Sequence, residues 1–145
     1  YVVGDEAKLR QILINLLSNA LKFTQQGQVT LRVGAEVVQA KETEPPNGPL
    51  ATTNPQSVYL QFEVEDTGCG IPAAELETIF AAFMQTDQGR HAQGAGLGLS
   101  ISRQFACLMQ GELTVRSQVN QGSTFRGRVR LSLPETFEFR QFATD

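Results

Sequence analysis

Residues 94–100 read Gly-Ala-Gly-Leu-Gly-Leu-Ser and stand directly before an apolar pattern of helical spacing. Glycines at alternate positions leave backbone N–H groups uncovered, and a helix that begins there directs its unpaired N–H groups and positive dipole end at the same place. This combination predicts an anion site that suits a phosphate. The stretch lacks the Gly-Lys-Ser/Thr of a P-loop and the G-x-G-x-x-G of a dinucleotide fold. A flexible loop is the alternative, so the rest of the chain must decide.

The composition describes one acidic globular domain. The chain has 145 residues, 41% hydrophobic content and a net charge of −3, which is enough apolar material for a single core. No basic run indicates a nucleic-acid partner, and no apolar run approaches the roughly 20 residues that span a bilayer. Cys69 and Cys107 are interpreted as small buried hydrophobes rather than as a metal or disulfide framework.

Hydrophobic periodicity predicts a two-layer α/β sandwich, with a mixed sheet covered on one face by three helices. The first helix has Asp5 as its N-cap and ends before Gly27. Alternating apolar residues predict strands in residues 29–33, 58–64, 113–119 and 125–131, the last two as a hairpin. The other helices are predicted between Pro72 and Phe83 and directly after the glycines. Residues 40–57 hold four of the six prolines and are expected to form a long surface loop.

A polar stripe follows the first predicted helix. Asn15, Asn19 and Lys22 have the spacing i, i+4, i+7, which puts two amides and an ammonium on one face. Asparagine inside a helix is unfavourable by a few tenths of a kcal/mol, so two in register indicate a function. Amide oxygen is an acceptable Mg²⁺ ligand, and Lys22 would supply a charge to phosphate. A solvated polar face is the alternative interpretation.

Asp66 falls on the apolar side of the strand that precedes it. An ionised carboxylate is costly to bury without hydrogen-bond donors, and the exocyclic amino group of adenine is one possible donor. Gly68 and Gly70 would then let the backbone approach the base closely. The alternative is that Asp66 caps the Asp-Thr-Gly turn.

Taken in order, the motifs resemble those of the catalytic, ATP-binding domain of sensor histidine kinases. That family lies within the larger ATPase group of Hsp90-type chaperones, type II topoisomerases and mismatch-repair ATPases. The matching stretches are residues 5–24 (N box), 65–71 (first glycine box), 79–83 (F box), 94–101 (second glycine box) and 122–125 (closing element). The resemblance implies a Bergerat-type ATP-binding domain over residues 1–134. Residues 135–145 remain as a tail that is either a linker or a docking strand.

The resemblance also implies ATP and Mg²⁺ as cofactors. It implies that Asp66 binds adenine, that Asn15 and Asn19 bind Mg²⁺ and the phosphates, and that Lys22 binds phosphate. Under this resemblance, the two asparagines and the lysine have the catalytic roles. The other expected nucleotide-binding residues are Gly68, Gly70, Ile71, Phe80, Phe83, Arg90, Gly94, Gly96, Leu97, Gly98, Leu99 and Thr124. Within this set, the glycines of the second glycine box cradle the phosphate tail, and the two phenylalanines hold the base of a lid over residues 84–95.

Two positions of this set have alternatives. Arg90 is a phosphate contact from the lid or a solvated arginine. Thr124 is near adenine by the resemblance alone, because simple alternation puts it on the side of the strand away from Phe125.

Asn15 also distinguishes the branches of the ATPase group. The chaperone and topoisomerase branches have a glutamate at this place as the general base for water, and asparagine cannot accept a proton near neutral pH. We therefore expect a histidine kinase, which transfers the γ-phosphate to a histidine on a separate dimerisation domain for relay to a response regulator. The alternatives are a serine kinase of the anti-sigma-factor type and a nucleotide-sensing module that transfers nothing.

The expected partners lie outside this sequence. They are the histidine-containing dimerisation domain of the same full-length protein and a response-regulator receiver domain. We expect the fragment to be monomeric and the full-length protein to be a homodimer. The expected location is cytoplasmic, and this holds also if the fragment is the cytosolic part of a membrane-bound sensor. His91, the single histidine, is expected to be an exposed lid residue rather than the phosphoacceptor.

Overall fold

The computed structural model describes residues 2–38, 57–81 and 97–133. Several predictions therefore lie outside the described residues: the lid at 84–95, the tail at 135–145, Phe83, Arg90, His91, Gly94 and Gly96. The same holds for the loop predicted at 40–57 except for Ser57, which begins a strand.

The first helix, α1, spans Glu6–Phe23 and begins where the sequence predicts it. The Asp5 carboxylate accepts the backbone N–H of Lys8 at 3.0 Å, which satisfies a donor that the helix cannot pair internally. The side-chain ammonium of Lys8, together with that backbone hydrogen bond, lowers the pKa of Asp5. One face of α1 is fully packed and buries Ile12, Leu16 and Ala20.

The strands form one sheet in the order β1-β2-β4-β3. Their bounds are β1 Val29–Val38, β2 Ser57–Asp66, β3 Glu112–Gln118 and β4 Gly122–Ser132. The second α-helix, α2, spans Gly98–Leu108 and packs beside α1 on one face of the sheet. The predicted two-layer α/β sandwich is thereby confirmed.

The sheet differs from the predicted mixed sheet, because every pair among the described strands is antiparallel. β2 and β3 do run parallel, as expected of strands joined through a helix, but β4 is inserted between them. Each strand therefore pairs only with antiparallel neighbours. The sequence order of the strands does not reveal this insertion.

The segment between β2 and α2 also differs from the helix predicted to begin at Pro72. It forms a short 3₁₀ helix at Ala73–Glu75, followed by turns through Phe80. Backbone hydrogen bonds in it mix three- and four-residue spacings, with Glu75 accepting from both Thr78 and Ile79. Short runs of this kind are typical of connectors.

The core lies between the two α-helices and the central strands β2 and β4. Val64 and Val129 are fully buried there. The edge strand β1 is covered less well, although its odd-numbered residues pair with the core-facing residues of β2. Leu31 and Val33 are 42% and 58% exposed, because the helices lie chiefly over the centre of the sheet.

The opposite face of the sheet is polar and ion-paired. Arg32 bonds Glu63 at 2.7 Å and Glu65 at 2.6 Å, and Arg126 pairs with Glu63 as well. The two guanidinium groups, Arg126 foremost, lower the pKa of Glu63. A cleft of about 550 Å³ runs over this face, and none of the predicted site residues lines it. Asp66 lies on the other, helix-covered side of the sheet.

Candidate functional site

Asp66 ends β2 on the helix-covered side of the sheet and is 7% exposed. One carboxylate oxygen accepts the backbone N–H of Gly68 at 2.8 Å. Burial raises the pKa of Asp66, and the backbone N–H groups of Gly68 and Ser123 offset only part of that rise. The result is a carboxyl group held in a poorly solvated place, where it attracts a hydrogen-bond donor.

The turn after Asp66 is packed against the protein's own backbone. A Cβ on Gly68 would lie 2.4 Å from the Phe23 carbonyl oxygen, at the end of α1. Gly70 has φ +72°, and its Cβ would lie 2.1 Å from the carbonyl oxygen of Gln118. The contacts in the described chain thus account for both glycines by internal packing, whereas the sequence suggested close approach to a base.

Two serines extend the polar group beside Asp66. Ser123 pairs with Asp66 across the strands and is 7% exposed. Its hydroxyl lies 2.9 Å from that of Ser117. The Ser117 oxygen also accepts the backbone N–H of Ile71 at 2.7 Å.

Thr124 does not lie beside Asp66, whereas the resemblance implied that it is near the adenine that Asp66 would bind. It pairs with Glu65 and Arg116, on the sheet face opposite to Asp66. Residues alternate across a strand, so the position next to Asp66 belongs to Ser123. Alternation along the strand predicts the same result from the sequence, since it puts Thr124 on the side away from Phe125.

Asn15 joins α1 to the beginning of α2. Its Nδ2 donates to the Gly98 carbonyl oxygen at 3.0 Å and to the Ser102 hydroxyl at 3.1 Å. Its Oδ1 accepts from Gln11 at 2.8 Å. Periodicity on one helix could not reveal this contact, because Gly98 and Ser102 are 83 and 87 residues away in sequence.

The other two members of the polar stripe continue along α1 toward the Asp66 turn. Asn19 is half-buried, and Lys22 is exposed in the last turn of the helix. The Lys22 ammonium lies 5.5 Å from the centre of the Phe23 ring. The Phe23 backbone in turn contacts the glycine of the Asp66 turn. The stripe therefore runs between that turn and the start of α2.

Apolar residues of the predicted site border this region. Ile71, Phe80 and Leu99 are partly buried against the core. The Phe80 ring meets the Phe125 ring edge-on, with centroids 6.4 Å apart, and Arg103 lies over Phe80 at 4.9 Å. Phe80 is thus anchored where the described segment ends.

Leu97 contributes backbone to the start of α2. Its carbonyl oxygen accepts the Ser100 hydroxyl at 2.9 Å and the Ile101 N–H at 3.0 Å. Among the described residues, no side chain caps the first N–H groups of this helix.

The described part of the site combines complementary groups on the helix side of the sheet. A buried acceptor lies at Asp66, carboxamides and an ammonium follow α1, and a helix begins beside Asn15. Such groups suit a ligand that carries an amino donor at one end and anionic oxygens with a cation at the other. Within residues 2–38, 57–81 and 97–133, no helix is long and apolar enough to cross a membrane.

Comparison with known proteins gives consistent matches. The family model described as "Histidine kinase-, DNA gyrase B-, and HSP90-like ATPase" matches residues 4–135. The chain is 45% identical over 127 residues to the aerobic respiration control sensor protein ArcB of Escherichia coli, covering 86% of this chain and 14% of ArcB. It is 42% identical over 135 residues to histidine kinase 5 of Arabidopsis thaliana, with the same coverages of 86% and 14%.

Solved structures agree with the fold. Full-length ShkA, solved in complex with AMPPNP, matches with a TM-score of 0.66 at 32% identity, over 92% of this chain and 23% of that one. The mycobacterial sensor histidine kinase MprB matches with a TM-score of 0.59 at 26% identity, over 92% and 78% of the two chains. The chain thus spans a small part of the curated relatives and of ShkA.

Proposed function

Because this chain belongs to the family of histidine kinase-, DNA gyrase B- and HSP90-like ATPases, we propose that it is the ATP-binding catalytic domain of a sensor histidine kinase. In this proposal it directs the γ-phosphate of ATP to a histidine on a dimerisation domain of the full-length protein. A response-regulator receiver domain then takes the phosphate. Relatives named as histidine kinases, such as histidine kinase 5 of Arabidopsis thaliana, support this choice over a serine kinase or a sensing module.

The observation that carries the proposal is the buried carboxylate of Asp66, which ends its strand beside the α1 polar stripe. Its oxygen accepts the Gly68 N–H, and the group retains capacity to accept from a ligand amino group. Adenine presents such a donor, whereas guanine presents a carbonyl oxygen at the corresponding position. We therefore infer selectivity for ATP over GTP.

Mg²⁺ and the phosphates would be held by the α1 stripe. Amide oxygens of Asn15 and Asn19 are suitable ligands for a hard cation together with water and phosphate oxygens. Bound Mg²⁺ would neutralise charge on the phosphates. The Lys22 ammonium and the start of α2, with the glycines before it, would bind phosphate oxygens and orient them.

Asn15 favours transfer over hydrolysis. A carboxamide cannot act as a general base near neutral pH, so this position does not activate water. Positioning of the phosphates relative to an external nucleophile then becomes the main contribution of the domain.

The domain is proposed to span residues 1–134, in agreement with a family match that ends at 135 and with a last described strand that ends at Ser132. We further propose a cytosolic location, a monomeric state for the isolated domain and a homodimeric full-length protein.

Calorimetric titration tests this proposal. The chain should bind Mg-ATP saturably and bind GTP far more weakly. In the Asp66→Asn variant, the one remaining side-chain oxygen would still accept the Gly68 N–H. The adenine amino group would then face the NH₂ group of the variant, which is a second donor and cannot accept its hydrogen bond. Loss of a hydrogen bond to a charged group, about 1.5–3 kcal/mol, weakens binding roughly 10- to 100-fold.

Asp5→Asn is the matched control, because asparagine also caps a helix and Asp5 lies at the start of α1. It should bind Mg-ATP like the unmodified chain. Failure of the unmodified chain to bind ATP would reject the proposed function, and equal affinity for GTP would reject the role of Asp66.

A further inference from the structure

Ser102 is a buried residue that forms a contact between the two α-helices, and the proposed roles do not use it. It lies on α2 with 0% of its surface exposed, and its oxygen accepts an N–H from Asn15 at 3.1 Å. The same Asn15 nitrogen donates to the Gly98 carbonyl oxygen at 3.0 Å. A carboxamide nitrogen carries two protons, so both protons of Asn15 are directed at α2.

The Gly98 carbonyl excludes the flipped orientation of the Asn15 amide. A backbone carbonyl can only accept, so a flipped amide would press its oxygen against another oxygen. Oδ1 therefore faces away from α2, where it accepts from Gln11 at 2.8 Å. That oxygen has a second lone pair to offer.

We propose that Ser102 is a positioning residue for the cation that accompanies ATP. Together with the Gly98 carbonyl, it holds the Asn15 amide so that an oxygen, and no N–H, is offered to the ligand. An amide oxygen binds a hard divalent cation and repels phosphate oxygens. The inference rests on the proposed function, because that function supplies the nucleotide and its cation.

Ser100 shows what a purely structural serine of the same helix does. It is 8% exposed, and its hydroxyl donates to the Leu97 carbonyl oxygen within its own helix, at 2.9 Å. Ser102 instead bonds across to α1. The two residues have the same side chain and similar burial but different partners, which makes Ser100→Ala a matched control.

The experiment compares nucleotide affinity with and without the cation. ATP is titrated calorimetrically into the unmodified chain, Ser102→Ala, Ser102→Cys and Ser100→Ala, once with Mg²⁺ and once with EDTA. The Kd measured with EDTA, divided by the Kd measured with Mg²⁺, gives the ratio that measures how much the cation strengthens ATP binding. Groups that orient metal ligands typically affect metal affinity by about tenfold or more.

We expect Ser102→Ala to lower this ratio about tenfold while leaving metal-free ATP binding nearly unchanged. Ser102→Cys has a similar volume and a weaker acceptor, so it should lower the ratio less, and it replaces the alanine variant if that one does not fold. Ser100→Ala should leave the ratio as it is. An unchanged ratio in both Ser102 variants, or an equal loss in Ser100→Ala, would overturn the inference.

A second readout needs no nucleotide. In the ¹⁵N-labelled chain, the side-chain NH₂ protons of Asn15 should exchange slowly with solvent and should exchange faster in Ser102→Ala. Fast exchange in the unmodified chain would overturn the inference at its structural step. An unmodified chain with slow exchange that binds no ATP would instead reject the proposed function, and with it the role for the cation.

Discussion

Asp66 is the residue whose protonation should affect stability as well as binding. Its pKa in the folded chain is raised above the ordinary value of 3.8, chiefly because burial disfavours the charge. The folded state therefore holds this proton more tightly than the unfolded state, and the cost of the buried charge is fully present above the folded pKa. Stability contributed through Asp66 falls as the pH rises through the interval from 3.8 to the folded pKa.

Asp66→Asn removes that titration. Urea unfolding of both proteins at a series of pH values between about 3 and 8 should show the variant gaining stability relative to the unmodified chain as the pH rises. The comparison cancels the other carboxylates, which titrate in both proteins. A relative loss of stability in the variant over the same rise would mean that the charged form of Asp66 is the one that the fold favours.

Asp66 and the residues around it show which parts of the site can be predicted from the sequence and which cannot. Strand parity alone predicts the burial of Asp66, since it follows the apolar residues of β2. The alternative prediction, that Asp66 caps its turn, agrees with the Gly68 N–H that its carboxylate accepts. Ser123 follows from the same parity rule, whereas the motif suggested its neighbour Thr124. The Asn15 contact with Ser102 could not be predicted, because it depends on how two separate helices are placed in space.

The incomplete cover over β1 gives a prediction for the whole strand. Val33 of β1 and Val64 of β2 both have core-facing parity, yet they are 58% and 0% exposed. Threonine has nearly the volume of valine and suits a strand, so it tests burial with little change in shape. Val33→Thr should change the unfolding free energy by less than about 0.5 kcal/mol. Val64→Thr should lower it by about 1–3 kcal/mol, because its hydroxyl is buried without a partner.

Denaturant unfolding of the two variants measures this contrast directly. Equal losses for Val33→Thr and Val64→Thr would show that something covers the helix-facing side of β1 in solution.

The elements differ in how well the sequence predicts them. α1 was predicted with its N-cap, because an amphipathic helix is specified by its own residues. The Pro72–Phe83 segment has the apolar spacing of a helix, but in the part that the structure describes it forms a 3₁₀ turn and further turns. Strand pairing is a relation between distant segments, and the insertion of β4 between β2 and β3 could not be inferred from local patterns.

At the scale of the whole molecule, ligand binding should appear as stabilisation without covalent labelling. Mg-ATP at about 100 times its Kd stabilises a folded chain by about 2.7 kcal/mol. For a chain of 145 residues, this corresponds to a rise in Tm of roughly 5–10 °C. The single histidine, His91, lies in the predicted lid, so incubation with γ-labelled ATP should leave the chain itself unlabelled.

Differential scanning calorimetry measures the rise in Tm. The phosphate label that stays on the chain after treatment with acid or with base measures covalent labelling. Asp66→Asn should lose about half or more of the shift in Tm at the same nucleotide concentration. A stable label on His91 would contradict the proposed division of labour between this domain and a separate histidine domain.

The two ends of the described chain meet at one corner. Val3 and Ser132 exchange backbone hydrogen bonds of 2.8 Å in each direction. Polypeptide that precedes residue 3 and polypeptide that follows residue 132 therefore leave from neighbouring points. A domain built in this way can be spliced into a longer protein as a cassette, because it adds little distance between its flanking modules. The same adjacency makes the domain suited to circular permutation by a short linker between its ends.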